Sequence, residues 1–245
     1  MLVRRAFVPE GLQPDSFKAW PFSVPCVAEL ATHGLMLTEP VTMLVGENGS
    51  GKSTLVEAIA EGFKLDAHGR RANRKYGNQR PKTPLGQVLN LATTASGARM
   101  LSGPRSRRKG FFLRAETAFG LMNTVNGMDG YWEADTATMS HGEGFLTVFH
   151  EMFNAAGFYV LDEPEAALSF NSCLRLVALM HELGKTGAQI VCSTHSPILA
   201  DTPGADIVEV SEHGFRRTRW DELDLVNHWQ RYLSDPNLYL RHMIG

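Results

Sequence analysis

Residues 40–63 read "PVTMLVGENGSGKSTLVEAIAEGF". Val41 to Val45 form a short apolar run that ends in glycines, the pattern of a buried strand entering a turn. Gly46 to Ser53 then fit G-x-x-x-x-G-K-[ST] throughout. Behind them Leu55, Val56, Ile59, Ala60 and Phe63 recur at helical spacing. Gly46, Gly49 and Gly51 let the backbone turn tightly with N–H groups pointing inward, and the helix start adds partial positive charge. Strand, loop and helix together therefore make an anion site. Lys52 supplies a full charge to terminal phosphates, and the Ser53 hydroxyl can ligate Mg²⁺, which prefers oxygen. The expected nucleotide-binding residues are Gly46, Glu47, Asn48, Gly49, Ser50, Gly51, Lys52, Ser53 and Thr54.

Working outward, buried strands alternate with helices. "GFFLRAE", "GFYVLDEP" and "AQIVCSTHSP" read as strands, and "LRLVALMHELGK" as a helix that ends near Gly184 and Gly187. "TPLGQVLNLA" reads as one short amphipathic piece, and "TAFGLMNTV" as a helix. A further helix places Phe145, Phe149, Met152 and Phe153 on one side. "ADIVEVSEHGFRRTRW" reads as a late hairpin turning at His213-Gly214, and "DELDLVNHWQRYLSDP" as a closing amphipathic helix. This alternation predicts an α/β fold with a largely parallel sheet.

The 245 residues suit one domain, and 43% hydrophobic with 20% charged residues is ordinary for a globular chain with a sizeable core. No run of 18 apolar residues is present, which excludes a membrane-spanning helix, and "MLVRRAFVPE" lacks the apolar core of a signal peptide. Cys26, Cys173 and Cys192 share no metal-ligand spacing and read as three reduced thiols of a cytoplasmic protein.

The chemistry gathers where strands stop. "FYVLDEP" puts Asp162 and Glu163 at the carboxyl end of a strand, facing the crevice where nucleotides bind in such sheets. Asp162 is placed to hold Mg²⁺ with Ser53, and Glu163 to polarise an attacking water, a general-base role worth ~10²–10⁴ in rate. "IVCSTHSP" brings His195 to the same edge, where imidazole can hydrogen-bond a γ-phosphate or the attacking water. "MSHGEGFL", residues 139–146, crowds Ser140, His141, Gly142, Glu143 and Gly144 before a helix, more than one cap requires.

In kind and order, "GENGSGKS", "MSHGEG", "FYVLDEP" and "STHS" resemble the ATP-binding-cassette type of ATPase. The resemblance covers nearly the whole chain. It implies a P-loop NTPase fold, a mainly parallel sheet flanked by helices, with an ABC-type head and a small helical subdomain. It implies ATP and Mg²⁺ as ligands, with Lys52, Glu163 and His195 catalytic. It also implies that Ser140, His141, Gly142 and Glu143 serve not their own P-loop but the γ-phosphate held by a second subunit. Two ATP molecules would then be clamped between two chains in a head-to-tail homodimer.

Transporter cassettes usually carry a double glycine followed by glutamine in the signature, and a serine-alanine-leucine-aspartate turn after the second acid. Here Ser140-His141-Gly142-Glu143 replaces the first, and "PEAALSF" puts Phe170 where that aspartate would lie. These features look like the soluble branch that includes RecF and the chromosome-maintenance ATPases, and "FFLRAE" resembles phrases in small bacterial single-domain ATPases. The implied role is an ATP-dependent dimer switch in DNA repair, nucleic-acid maintenance or defence. The alternative is the ATP-binding subunit of a membrane transporter. The metal-sensing glutamine of the family has no clear counterpart. Glu116 is the positional substitute, while Gln79 and Gln87 lie in less suitable surroundings. Trp20 or Phe22 can stack on adenine, and a core aromatic explains either equally.

The net charge of −2 hides an uneven distribution, with twelve Lys and Arg and no acid between Ala67 and Ala115. Residues 66–145 read as a basic insert and helical subdomain inside one domain spanning 1–245. The basic segment 70–109 fits a surface for nucleic acid or an acidic partner, with Tyr76 as a stacking residue. A solvated loop that offsets nearby phosphates explains the same residues.

Overall fold

The computed structural model describes residues 1–14, 16–65, 81–104, 108–114, 149, 153, 155–241 and 243. In chain order the strands are β1 (Val3–Phe7), β2 (Leu35–Met36), β3 (Val41–Val45), β4 (Asn90–Thr93), β5 (Gly110–Arg114), β6 (Phe158–Asp162), β7 (Gln189–Thr194), β8 (Asp206–Ser211) and β9 (Gly214–Arg217). The helices are α1 (Pro25–His33), α2 (Lys52–Gly62), α3 (Pro84–Val88), α4 (Ala95–Ser102), α5 (Phe170–Lys185), α6 (Pro197–Ala200), α7 (Asp224–Ser234) and α8 (Asn237–Leu240).

Every residue of β3 is buried, as a strand covered on both faces must be. It sits inside a six-stranded sheet of order β5-β6-β7-β3-β8-β9, parallel except for the β8–β9 hairpin. The two-residue period divides each strand between two cores. Leu44, Phe158 and Val160 face one cluster with Leu55, Val56 and Ile59 of α2 and Leu30 of α1. Met43, Val45, Tyr159 and Leu161 face the other, with Leu176 and Met180 of α5 and Leu199 of α6. The expected α/β sandwich with a mostly parallel sheet is therefore what forms. Phe149 and Phe153 are buried in the second cluster, and Phe153 packs edge-on against Phe111 with ring centroids 4.6 Å apart. Phe145 and Met152 of the same expected stripe, and the expected helix "TAFGLMNTV", lie outside the described residues.

A second, antiparallel sheet of order β2-β1-β4 was not legible in the sequence pattern. "TPLGQVLNLA" is not one piece. Thr83 caps α3 by accepting from the Gly86 N–H, the helix stops after Val88, and β4 pairs with β1 through Ala6 and Leu91. Leu85, Leu89 and Leu91 all pack into the same core, so an apparent helical period spans two elements. The side chain of Gln189, fully buried at the start of β7, joins the two sheets. Its Oε1 accepts from the N–H groups of Leu2 and Val3 and its Nε2 donates to the Val3 carbonyl, each at 2.8 Å. α5 begins at Phe170, earlier than expected, because Ser169 caps it by accepting from the Ser172 N–H. The late hairpin forms as expected. Among the described residues no helix is long and apolar enough to cross a membrane.

Candidate functional site

The carboxyl ends of β3, β6 and β7 meet at one crevice, and registry decides which side chains share it. Val45 lies opposite Thr194, Asp162 opposite Ser193, and Arg114 at the end of β5 opposite Asp162. The loop from Gly46 to Gly51 closes over β3. A side chain on Gly46 would run into the Val210 carbonyl. Gly51 caps α2 at φ 100°, and a Cβ there would lie 2.6 Å from the Cys26 sulfur. Only glycine fits both the angle and the space. Burial pushes the Cys26 thiol up to about 12, so it stays a thiol and donates to the Ser50 carbonyl at 3.2 Å. All three cysteines are buried and unpaired.

Lys52 is buried, and its Nζ donates to the Glu47 carbonyl at 2.7 Å within its own loop. That ammonium also lies 3.6 Å from Glu163 Oε1. The Ser53 hydroxyl donates to Asp162 Oδ1 at 2.9 Å, and the Ser193 hydroxyl donates to the same oxygen at 2.6 Å. The structure thus brings Lys52, Ser53, Asp162, Glu163 and His195 together around the loop. The fit to Mg²⁺ can be judged from the donors. A hydroxyl and one carboxylate already touch, and no group of three or more His, Cys, Asp or Glu side chains arranged to hold a metal ion exists among the described residues. Few protein oxygens suit an ion that keeps waters and takes substrate phosphates as its other ligands.

Glu163 leaves β6 with φ 49° and ψ 52°, the left-handed region that a residue with a side chain seldom adopts. Its N–H donates to the Ser193 carbonyl at 3.1 Å, which holds the kink to β7. His195 Nδ1 lies 3.8 Å from Glu163 Oε2 and 3.3 Å from Glu165 Oε1.

Three site residues escaped the sequence reading. Arg114 donates through Nε to Asp162 Oδ2 at 3.0 Å and through Nη2 to Glu57 Oε2 at 2.9 Å. Burial alone would lower the Arg114 pKa, but Glu57 and Asp162 outweigh it and hold it above the ordinary arginine value. Ser193 supports Asp162. Glu165 is almost wholly buried, and its Oε1 accepts from Thr194 Oγ1 and the His195 N–H, both at 2.6 Å. Burial raises the Glu165 pKa above the usual carboxylate range, and the Thr194 hydroxyl opposes that rise. The cue for Arg114 is the register of β5 on β6, which a single sequence does not display.

Other expected residues lie elsewhere. Gln87 is on α3, where its side chain donates to the Lys82 carbonyl. Trp20 is 63% exposed, and Phe22 packs against the core. Neither lines the cleft of about 450 Å³ beside the loop, which is bounded by Val24, Pro25, Asn48, Ser211, Asp224 and His228. Ser140, His141, Gly142, Glu143, Glu116, Gln79 and Tyr76 lie outside the described residues, as do 70–80 and 105–107 of the basic segment.

A family model described as "ABC transporter" matches residues 38–166. The chain is 27% identical over 178 residues to the ABC-type transporter eriD of Hericium erinaceus, a match covering 64% of this chain and 12% of that protein. This chain therefore spans about an eighth of that relative's length. Among solved structures it is similar to the SMC head domain of Thermotoga maritima, with TM-score 0.43, 18% identity, and 76% of this chain and 92% of that one covered. It is also similar to an ATP-binding subunit of an ABC transporter, with TM-score 0.45, 19% identity, and 77% and 82% covered. The matched family segment runs from just before β3 through the acids at the end of β6 and takes in more than half of the chain, so this protein belongs to the ABC transporter family and is an ATPase of that type.

Proposed function

We propose that this ATPase is an ATP-dependent dimer switch, closing two copies on two bound nucleotides and opening after hydrolysis. The observation that carries the reading is the convergence of Lys52, Ser53, Asp162, Glu163 and His195 at the ends of three adjacent strands. Lys52 exchanges the Glu47 carbonyl for phosphate oxygens. Ser53 and Asp162 would hold Mg²⁺, which would supply neutralisation of phosphate charge. Glu163 accepts a proton from water as the water oxygen attacks γ-phosphorus, and the bond to the ADP oxygen breaks. His195 donates to the γ-phosphoryl oxygens. Ser140, His141, Gly142 and Glu143 of one copy complete the site of the other, as the resemblance implies. Three unpaired thiols support a reducing compartment, the cytoplasm. The departures at Gly142-Glu143 and Phe170 favour a role in nucleic-acid maintenance, repair or defence, with the basic segment 70–109 facing nucleic acid or an acidic partner.

Glu163→Gln tests the switch. It leaves ATP binding intact, lowers hydrolysis by ~10²-fold or more and accumulates an ATP-bound dimer, read by light scattering with and without Mg-ATP. A variant that binds ATP yet stays monomeric refutes it. A second reading, the ATP-binding subunit of a membrane transporter, is favoured by what the curated relative is called. It predicts that the trapped Glu163→Gln form copurifies with a membrane protein, and the switch reading predicts that it does not.

A further inference from the structure

Two buried polar atoms without hydrogen bonds among the described residues belong to neighbouring side chains in the crevice: Glu165 Oε2 and His195 Nδ1. Such atoms are costly to leave unpaired, and two of them side by side point to a bond made in another state of the site. Glu165 already accepts from the backbone N–H of the histidine and from the hydroxyl of Thr194 before it. The imidazole stands 3.3 Å from Glu165 Oε1, within ion-pair distance but not aligned for a hydrogen bond. Its side chain is 40% exposed although Nδ1 is buried, so the solvent-facing edge is the opposite one, which carries Nε2.

We propose that Glu165 is the positioning residue for His195, accepting its Nδ1–H in the nucleotide-bound state and so presenting Nε2 to the γ-phosphate. The inference rests on the role given to His195 above and goes beyond it by naming what sets that role. Catalytic hydrogen bonds are commonly long in nucleotide-free sites and tighten when the reacting group arrives. A rotation that brings Nδ1 against Oε2, the carboxylate oxygen without a partner, would satisfy both orphan atoms at once. With Nδ1 committed as a donor, Nε2 reaches phosphate as a donor only on a doubly protonated ring. Two carboxylates flank that ring, Glu163 Oε2 at 3.8 Å and Glu165 Oε1 at 3.3 Å from Nδ1. A charged donor makes a hydrogen bond roughly twice as strong as a neutral one where negative charge develops. Glu163 cannot do the same work, because its own carboxylate also faces Lys52 and, in the proposed mechanism, takes the water proton.

Glu165→Gln separates orientation from anchoring. The amide oxygen still accepts from Thr194 and the His195 N–H, but the amide NH₂ cannot accept from Nδ1 and donates to it instead. With ¹⁵N-histidine protein bound to the nonhydrolysable analogue AMP-PNP, the wild-type His195 Nδ1 signal is of the protonated type. In Glu165→Gln it moves to the unprotonated type. Thr194→Val, which removes one anchoring bond and leaves the carboxylate in place, keeps the protonated-type signal. In hydrolysis Glu165→Gln lowers kcat about tenfold or more with KM little changed, and adding it to His195→Ala costs nothing further. The same Nδ1 signal in wild type and Glu165→Gln overturns the proposal, as does full additivity with His195→Ala. If His195→Ala hydrolyses ATP at the wild-type rate, the histidine's catalytic role falls instead, and the nitrogen spectrum alone decides the pairing.

Discussion

Replacing Arg114 by Met strands the two carboxylates that its guanidinium holds together. Asp162 is 4% exposed at its side chain and loses the donor to Oδ2, while Glu57 loses its own. Removing one partner of a fully buried ion pair costs about 3–5 kcal/mol. Arg114 and Glu57 are 21% and 19% exposed, so water screens part of the interaction and about 2–3 kcal/mol remains. Glu57→Gln keeps an acceptor on α2 and costs about 1 kcal/mol. The two losses overlap, because the Glu57 bond is already gone once the guanidinium is removed. The double variant should therefore be little worse than Arg114→Met alone. Equilibrium urea unfolding of the four proteins measures this, with a midpoint shift of about 1 M for Arg114→Met at an ordinary denaturant slope. A loss below about 0.5 kcal/mol, or full additivity, would show that the guanidinium does not tie α2 to the strand ends.

Three further outcomes follow from the packing. Gln189→Leu leaves two backbone N–H groups and a carbonyl without their buried partner and should cost about 3–5 kcal/mol in urea unfolding, with amides of β1 exchanging faster than those of β3. Gly51→Ala forces a side chain onto φ 100° and toward the Cys26 sulfur. It should destabilise by about 2–4 kcal/mol and weaken binding of a fluorescent ATP analogue; unchanged affinity would mean that the loop tolerates the shift. Glu165 has a folded pKa above its ordinary value of 4.5, chiefly from burial, so its folded form binds protons more tightly than its unfolded form. Stability from that group is present below about pH 4.5 and is lost as pH rises through the higher folded value. Wild type should therefore lose stability relative to Glu165→Gln over that rise, and parallel pH–stability curves would contradict the assignment.

The central sheet was legible because its strands are short apolar runs that end in chemistry: "VTMLV" before the glycines, "FYVLD" before Glu163, "QIVCST" before His195. The antiparallel sheet was not. β1 reads "VRRAF", with two arginines in five residues, and β2 is only two residues long. What fixes β1 is a glutamine 186 residues away, and no local pattern announces that. The candidate site divides in the same way. Lys52, Ser53, Asp162 and Glu163 lie inside contiguous motifs. Arg114, Ser193 and Glu165 act by standing across from motif residues on adjacent strands or turns. Cross-strand register is a property of the assembled sheet, so those three emerge only with it.

The left-handed conformation at Glu163 shows why the acids need the sheet as well as the motif. An extended chain alternates its side chains, so a straight continuation of β6 would send Asp162 and the next residue to opposite faces. The kink at φ 49° turns the chain instead, and the Ser193 carbonyl holds it by accepting the Glu163 N–H. Asp162 stays buried against Ser53, Ser193 and Arg114, while the Glu163 carboxylate comes to rest between Lys52 and His195, 28% exposed. The same turn feeds the short helix Pro164–Ala167, which buries Glu165 beneath the histidine. Strain of ~1–3 kcal/mol at one residue thus separates three neighbouring acids into three environments. A chain relaxed at this position would keep the sequence "DEPE" and lose the three separate environments of its acids.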